Sequence, residues 1–398
     1  MNPKKLQKLN IMLIVVIDLM GFGIVLPLLP FFATDMHASP WTIGLIFSIY
    51  SAAQFIAAPL WGKCSDNIGR RSVMIISSLG AALSYILFAY ANSLEMLFIS
   101  RLLAGIMAGN IAAAQAYMAD ITEEKDRAKG MGLIGASIGL GFTLGPAIAI
   151  FSSHPAHANP FFIPGIIAFS MSIISVILTT CVLKDSGQKR AVQPAYRFFL
   201  FSTNFWQSLN KIAPHVKARL FGFFLLAALL LSFTQSSLYA SFPLYCQAEF
   251  NITPQKVGSI YVLMGLVSIF VQGGLLRILL KYFSEKKLCA VAFAVLLMGL
   301  FLCGFAPWKY PFIAALMTMT LGAAIALPTL SSLTSQATNS EQYGAALGAL
   351  QGMSGLGRVI GPAWGGVVFA IKPTYPFILT ALGVSGVLCL ALYASSRE

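Results

Sequence analysis

"IMLIVVIDLMGFGIVLPLLPFFA", residues 11–33, is apolar from end to end apart from one carboxylate, Asp18. Its length decides what it is, because a helix rising 1.5 Å per residue needs about 20 apolar residues to cross a hydrocarbon core of roughly 30 Å. Runs of the same kind recur at 41–62, 72–91, 96–118, 130–151, 160–183, 218–244, 255–276, 288–306, 310–333, 344–370 and 374–394, which makes twelve. Composition agrees. Of 398 residues 58% are hydrophobic and 10% charged, and a mean hydropathy of +0.80 lies outside the soluble range. "MNPKKLQKLN" ahead of the first run resembles a signal-peptide n-region, but the run is long and no small-residue cleavage site follows, so we read a retained first helix.

The net charge of +13 raises the question of a nucleic-acid partner, which the placement of the basic residues answers. With the N-terminus in the cytoplasm, 21 of the 26 Lys and Arg fall on inner segments. The other five are Arg101 and Arg358 within helices and Lys256, Lys309 and Lys372 outside. This asymmetry is the positive-inside rule with both termini cytoplasmic, so the basic balance reports topology and contact with the anionic lipid bilayer. No nucleic acid is required. The six cysteines are scattered without a CxxC pair, as small packing residues are, and His154 and His157 in "SSHPAHANP" have no acidic or cysteine partner nearby, so no metal site is expected.

The only long polar stretch, 184–217, divides an N-terminal six-helix bundle (1–183) from a C-terminal one (218–398). It is basic and cytoplasmic in this topology, with a surface helix expected around 196–211. "GLGFTLGP" at 139–146 recurs as "GLGRVIGP" at 355–362, and the same offset of 216 residues carries Pro27 onto Pro243. The chain therefore reads as an all-α membrane protein of twelve transmembrane helices in two pseudo-symmetric bundles. In such duplications the substrate site lies near the midplane, between halves that rock.

"GKCSDNIGRRS", Gly62–Ser72, joins the second and third runs. Gly62 and Gly69 are expected to give the turn its backbone freedom. Pseudo-symmetric packing would bring Asp66 to the cytoplasmic start of helix eleven, where a helix dipole attracts a carboxylate. Arg70 would then bridge to Asp120. With Arg71, these residues are candidates for a cytoplasmic gate that releases as the halves rock; the bland alternative is a basic turn that merely obeys the positive-inside rule.

In this loop the chain resembles the major facilitator superfamily, whose signature is Gly-x-x-x-Asp-x-x-Gly-Arg-Arg/Lys. "RLLAGIMAG", Arg101–Gly109, is similar to the Arg-x-x-x-Gly motif of proton-coupled members. Gly132, Gly141, Gly145 and Pro146 follow the antiporter spacing Gly-x8-Gly-x3-Gly-Pro, with Ala149 and Ile150 where the family has a glycine pair. Gly348, Gly357, Gly361, Pro362, Gly365 and Gly366 repeat it around Arg358 in helix eleven. Glycine rows of this kind let membrane helices approach closely. The likeness is to the twelve-helix drug:proton antiporters and, within them, to the tetracycline efflux branch. That branch carries an acid in helix three where this chain has Ser84, and another in helix nine, where it has none. The resemblance thus implies the antiporter family rather than tetracycline as the substrate.

Three charges fall inside the runs, Asp18, Arg101 and Arg358, each costing roughly 2.5–3.5 kcal/mol at a helix centre. A straight-helix estimate separates Asp18 and Arg101 by about 10 Å in depth, so a direct ion pair does not follow. A partly desolvated carboxylate disfavours its charged form and can exchange a proton, which makes Asp18 the candidate proton-coupling acid and Arg101 the group that tunes it. The alternative for Asp18 is pairing with a helix end or a hydroxyl. Tyr50, Gln54, Asn110, Gln115, Gln235, Tyr239 and Gln351 are candidates for the substrate cavity or, equally, for hydrogen-bonded glue between helices. Pro27 and Pro30 remove backbone bonds to Gly23 and Leu26, leaving the first helix bendable toward its outer end.

No nucleotide loop, metal cluster or nucleophile-base set appears, so neither an enzyme nor a cofactor is expected. The expectation is a monomeric, multi-pass transporter of the bacterial inner membrane that exports a small amphiphilic organic compound in exchange for protons. Export of an endogenous metabolite such as a siderophore, proton-coupled import, and a non-transporting receptor are the alternatives.

Overall fold

The structure, a computed structural model, describes residues 3–122, 127–152, 159–183, 218–338 and 343–395. The central segment 184–217 with its expected surface helix, and His154 and His157, lie outside the described residues. Every regular element among the described residues is helical. Among the described residues eleven helical spans are long and apolar enough to cross a membrane, one of them running over the break in Leu94–Ile121, and Tyr375–Gly386 is a shorter apolar stretch of the last helix. Two compact units emerge, Met1–Ala195 with Asn251–Gly265, and Tyr196–Phe250 with Leu266–Glu398.

In the first unit the helices are α1 (Pro3–Asp35), α2 (Pro40–Ile68), α3 (Arg70–Ala89), α4 (Leu94–Ile106), α5 (Asn110–Ile121), α6 (Arg127–Ser152) and α7 (Phe162–Val182). Local chemistry sets several of their ends. Ser39 accepts from the Thr42 amide at 3.2 Å with Pro40 in the first turn, and Ser93 accepts from the Met96 amide at 3.3 Å; both are N-caps that satisfy otherwise orphaned donors.

Two expectations are corrected here. The loop read over 62–72 shrinks to one residue, because α2 continues to Ile68 and α3 begins at Arg70. Lys63, Cys64 and Asn67 reach solvent from the helix itself, so nothing forces the chain to uncoil. Gly69, at φ 92°, makes the reversal in a conformation that only glycine adopts without strain, whereas Gly62 sits inside α2 beside open space. The second correction is the fourth run. Read as one helix over 96–118, it is interrupted at Met107–Gly109 and restarts as α5 at Asn110.

The interruption survives because its freed backbone groups find partners, the condition for irregular backbone at membrane depth. Trp61 Nε1 donates to the Ile106 carbonyl at 2.5 Å. Ser77 Oγ donates to the Met107 carbonyl and accepts from the Gly109 amide at 2.8 Å. Gly80 and Gly109 admit the Met107 side chain and the Trp61 ring at distances a methyl group would obstruct.

Helix α1 packs on α6 through glycine. A Cβ on Gly145 would stand 2.6 Å from Gly23 Cα and 2.7 Å from the Met20 carbonyl, and one on Gly141 would stand 2.9 Å from the Val16 carbonyl. Toward the Lys8 end of α1, Ile11, Ile14, Val73, Met74, Tyr117 and Met118 are buried against one another. Gly258 meets the Pro146 carbonyl and Ile150, which is why Asn251–Gly265 groups with this unit.

The second unit holds α8 (Ala218–Phe250), the end of α9 (Pro254–Phe270), a five-residue π-turn (Val271–Leu275), α10 (Leu276–Tyr282), α11 (Glu285–Phe305), α12 (Lys309–Gln336), α13 (Tyr343–Ile371) and α14 (Tyr375–Ser395). Its tightest seam joins α8 to α13. Gly357 abuts the Leu229 carbonyl, Gly361 abuts Ser236 and the Phe233 carbonyl, Gly365 abuts the Ser237 carbonyl, and Ser236 Oγ donates to the Gly357 carbonyl at 3.1 Å. The residues offset by 216 thus make the α1–α6 seam in one unit and the α8–α13 seam in the other. Tyr245, Phe312 and Phe377 form an aromatic cluster with centroids 4.9–5.6 Å apart.

Candidate functional site

Asp18 is partly buried in the middle of α1, and three other helices address its carboxylate. Asn110, the first residue of α5, donates from Nδ2 to Asp18 Oδ2 at 2.6 Å. The same amide nitrogen reaches Ser78 Oγ on α3 at 2.7 Å. Ser78 is 3.2 Å from Ser175 Oγ on α7, and both hydroxyls also hydrogen-bond Asp18. The result is a carboxylate surrounded by neutral donors from α3, α5 and α7. Such a cradle stabilises a negative charge without cancelling it, so that a proton remains able to bind.

Arg101 on α4 has a different environment. It is 2% exposed, its guanidinium carbon lies 4.9 Å from the Phe88 ring centroid and 5.7 Å from that of Tyr85, and Nε reaches Ser100 Oγ only at 3.5 Å. Among the described residues Nη1 and Nη2 meet no acceptor. The rings attract the face of the cation. No ion pair joins Asp18 to Arg101 among the described residues, although Tyr85 lies within electrostatic reach of both.

A second cluster forms where α2 turns into α3. Arg70 Nη1 donates to Asp66 Oδ1 at 2.6 Å and to Ser65 Oγ at 2.7 Å, and its Nε reaches Asp120 Oδ2 at 3.4 Å. The Arg70 and Asp120 side chains are 8% and 2% exposed, whereas Asp66 is 31% exposed. Arg71 turns away to α7, where its guanidinium donates to the Thr179 and Thr180 carbonyls at the helix C-terminus, the negative end of the dipole.

The glycine motif divides by packing. Gly141, Gly145, Gly357 and Gly361 are in close contact, whereas Gly132 and Gly348 have nothing within 4 Å. Pro146 and Pro362 lie inside α6 and α13. Arg358 is partly buried and within electrostatic reach of Tyr239. Of the expected cavity residues, Asn110 joins Asp18; Tyr50, Gln54, Gln115, Gln235 and Tyr239 are partly buried, the Tyr50 ring lying tilted against Phe22 at 4.9 Å, and Gln351 is exposed. Ser77, Ser78, Ser175 and Trp61 were not anticipated. A hydroxyl in an apolar helix gives little signal, since most bond back to their own helix.

A multi-pass helical membrane protein with a cradled intramembrane carboxylate, a duplicated glycine-proline seam and an Arg-Asp cluster at a helix turn has the architecture of a secondary transporter. The chain belongs to the Major Facilitator Superfamily, which it matches over residues 11–362 and again over 224–397. It is a transporter, not an enzyme. Multidrug resistance protein 2 of Bacillus subtilis is 27% identical over 368 residues, covering 90% of this chain and 88% of its own. The class B tetracycline resistance protein of Escherichia coli is 28% identical over 408 residues, covering 97% of each. In fold the chain is similar to the human organic anion transporter MFSD10, with a TM-score of 0.73 at 24% identity, covering 98% of this chain and 100% of that one.

Proposed function

We propose that this protein is a proton-coupled exporter of a small amphiphilic organic compound, working by alternating access as a monomer in the bacterial inner membrane. In this proposal Tyr375–Ser395 supplies the twelfth crossing, residues 1–183 and 218–398 form the two bundles, and both termini are cytoplasmic. The observation that carries it is the cradle around Asp18: a lone carboxylate in an apolar span, bonded by Asn110 and two serines from three other helices. A proton binding there removes the charge that those donors stabilise. A cationic or polar part of the substrate would compete for the same carboxylate, and such competition is the physical basis of exchange. Arg101 tunes the site through Tyr85, which lies within electrostatic reach of both charges.

Arg70, Asp66 and Asp120 act as the cytoplasmic gate, and the glycine seams let α1 and α13 move without side chains interlocking. The resistance proteins named above support a lipophilic drug or a compound like one as the cargo. The test is transport into inverted membrane vesicles, with an imposed pH gradient, across a panel of lipophilic cations, antibiotics and secreted metabolites. Accumulation of at least one class that collapses with a protonophore is expected. If no compound moves and none dissipates the gradient, proton-driven export is wrong.

A further inference from the structure

The interruption of the fourth run does more than bend it. An uninterrupted α-helix has no free N-terminal turn at this depth, whereas the break at Met107–Gly109 makes Asn110 the first residue of a new helix. Its amide there spans two helices, reaching Asp18 Oδ2 on α1 at 2.6 Å and Ser78 Oγ on α3 at 2.7 Å. The break is fastened by the adjacent α3 residue, since Ser77 Oγ bonds both the Met107 carbonyl and the Gly109 amide. Ser77 and Ser78, neighbours in one turn of α3, therefore bond the break and the residue that the break presents. Asn110 is 8% exposed, which places it out of reach of a solute in this conformation.

We propose that Asn110 is a positioning residue for the proton site and not a cavity contact: the broken helix holds its amide against Asp18 and so sets the proton concentration at which Asp18 loads. This rests on the reading of Asp18 as the coupling acid. The amide donates to the charged carboxylate, which has only acceptors, so its removal favours the protonated form. Of the other ionisable groups nearby, Tyr85 on α3 is within electrostatic reach of Asp18, and Tyr50 on α2 and Arg101 on α4 are within reach of Tyr85. Helix α7 contributes the hydroxyl of Ser175, and α6 meets α1 through glycines.

The experiment reads Asp18 directly, without a substrate. Infrared difference titration of the purified, full-length protein in lipid follows the protonated-carboxyl band that disappears in Asp18→Asn. Asn110→Ala is expected to move the midpoint of that band to higher pH by about one unit, a tenfold change in proton affinity. Ser77→Ala leaves Asn110, Ser78 and Ser175, the groups that bond Asp18, in place and is expected to move it the same way by less; where Asn110→Ala does not accumulate, Ser77→Ala decides alone. A midpoint unmoved in both variants, with transport merely weaker, overturns the role given to Asn110. A wild-type protein with no titrating band would instead overturn the assignment of Asp18 itself, so the two failures are distinguishable.

Discussion

Asp18 and Arg101 are two intramembrane charges that the chain handles in different ways. Asp18 is held by neutral donors, so its charge is stabilised but remains available, while Arg101 rests on two rings with its outer nitrogens unmatched among the described residues. Substituting Asp18→Asn keeps the size of the side chain and an oxygen that can accept from Asn110. The variant is expected to reach the membrane at wild-type levels, within about 0.5–1.5 kcal/mol of wild-type stability, yet to lose gradient-driven transport to background. Full gradient-driven activity in vesicles would remove Asp18 from the mechanism. Charges in apolar runs are conspicuous in a sequence, and so Asp18 and Arg101 were legible there, while the Arg70 cluster was legible as a loop motif. Ser78 and Ser175 were not, because what makes them matter is contact with residues far away in the chain.

At the scale of elements, hydropathy finds a span but is blind to the path of its backbone. The fourth run has the composition of one helix, and the residues that fasten its interruption, Trp61 and Ser77, belong to α2 and α3. Glycine spacing, by contrast, was legible as a motif, and the structure adds which glycines carry the packing. A methyl group at Gly145 would meet the backbone of Gly23 and Met20, neither of which can rotate away. Gly145→Ala is therefore expected to lower stability by about 1–3 kcal/mol through overpacking, while Gly132→Ala, facing open space, stays within about 0.5 kcal/mol. Thermal unfolding of both variants in detergent, by a fluorescent reporter of buried thiols, checks the contrast. Equal losses in the two would mean that the motif acts as a whole and not through the α1–α6 seam.

The duplication extends across the whole molecule, but the two units do not use it equally. The offset of 216 that carries Gly145 onto Gly361 also carries Arg70 and Asp120 onto Lys286 and Gln336. In the second unit Gln336 Nε2 donates to Glu285 Oε2, one residue before Lys286, at 2.9 Å in an exposed setting, whereas Arg70 and Asp120 meet in a shielded one. The repeat was visible in sequence through its glycines and prolines; this inequality was not, because exposure and contact at these positions are set by the fold. A charge-assisted bond to a shielded arginine contributes more than an exposed amide-carboxylate contact, whose partners water can replace. Asp120→Ala is accordingly expected to destabilise the protein by about 1.5–3 kcal/mol and to change turnover, and Gln336→Ala to stay within about 0.5 kcal/mol with near-normal transport. Asp66→Asn, at a carboxylate more exposed than that of Asp120, is expected to slow turnover while substrate binding is retained. Binding measured in detergent and turnover measured in vesicles separate these effects. If Gln336→Ala proves as damaging as Asp120→Ala, the exposed contact of the second unit matters as much as the ionic cluster of the first, and shielding does not set the difference.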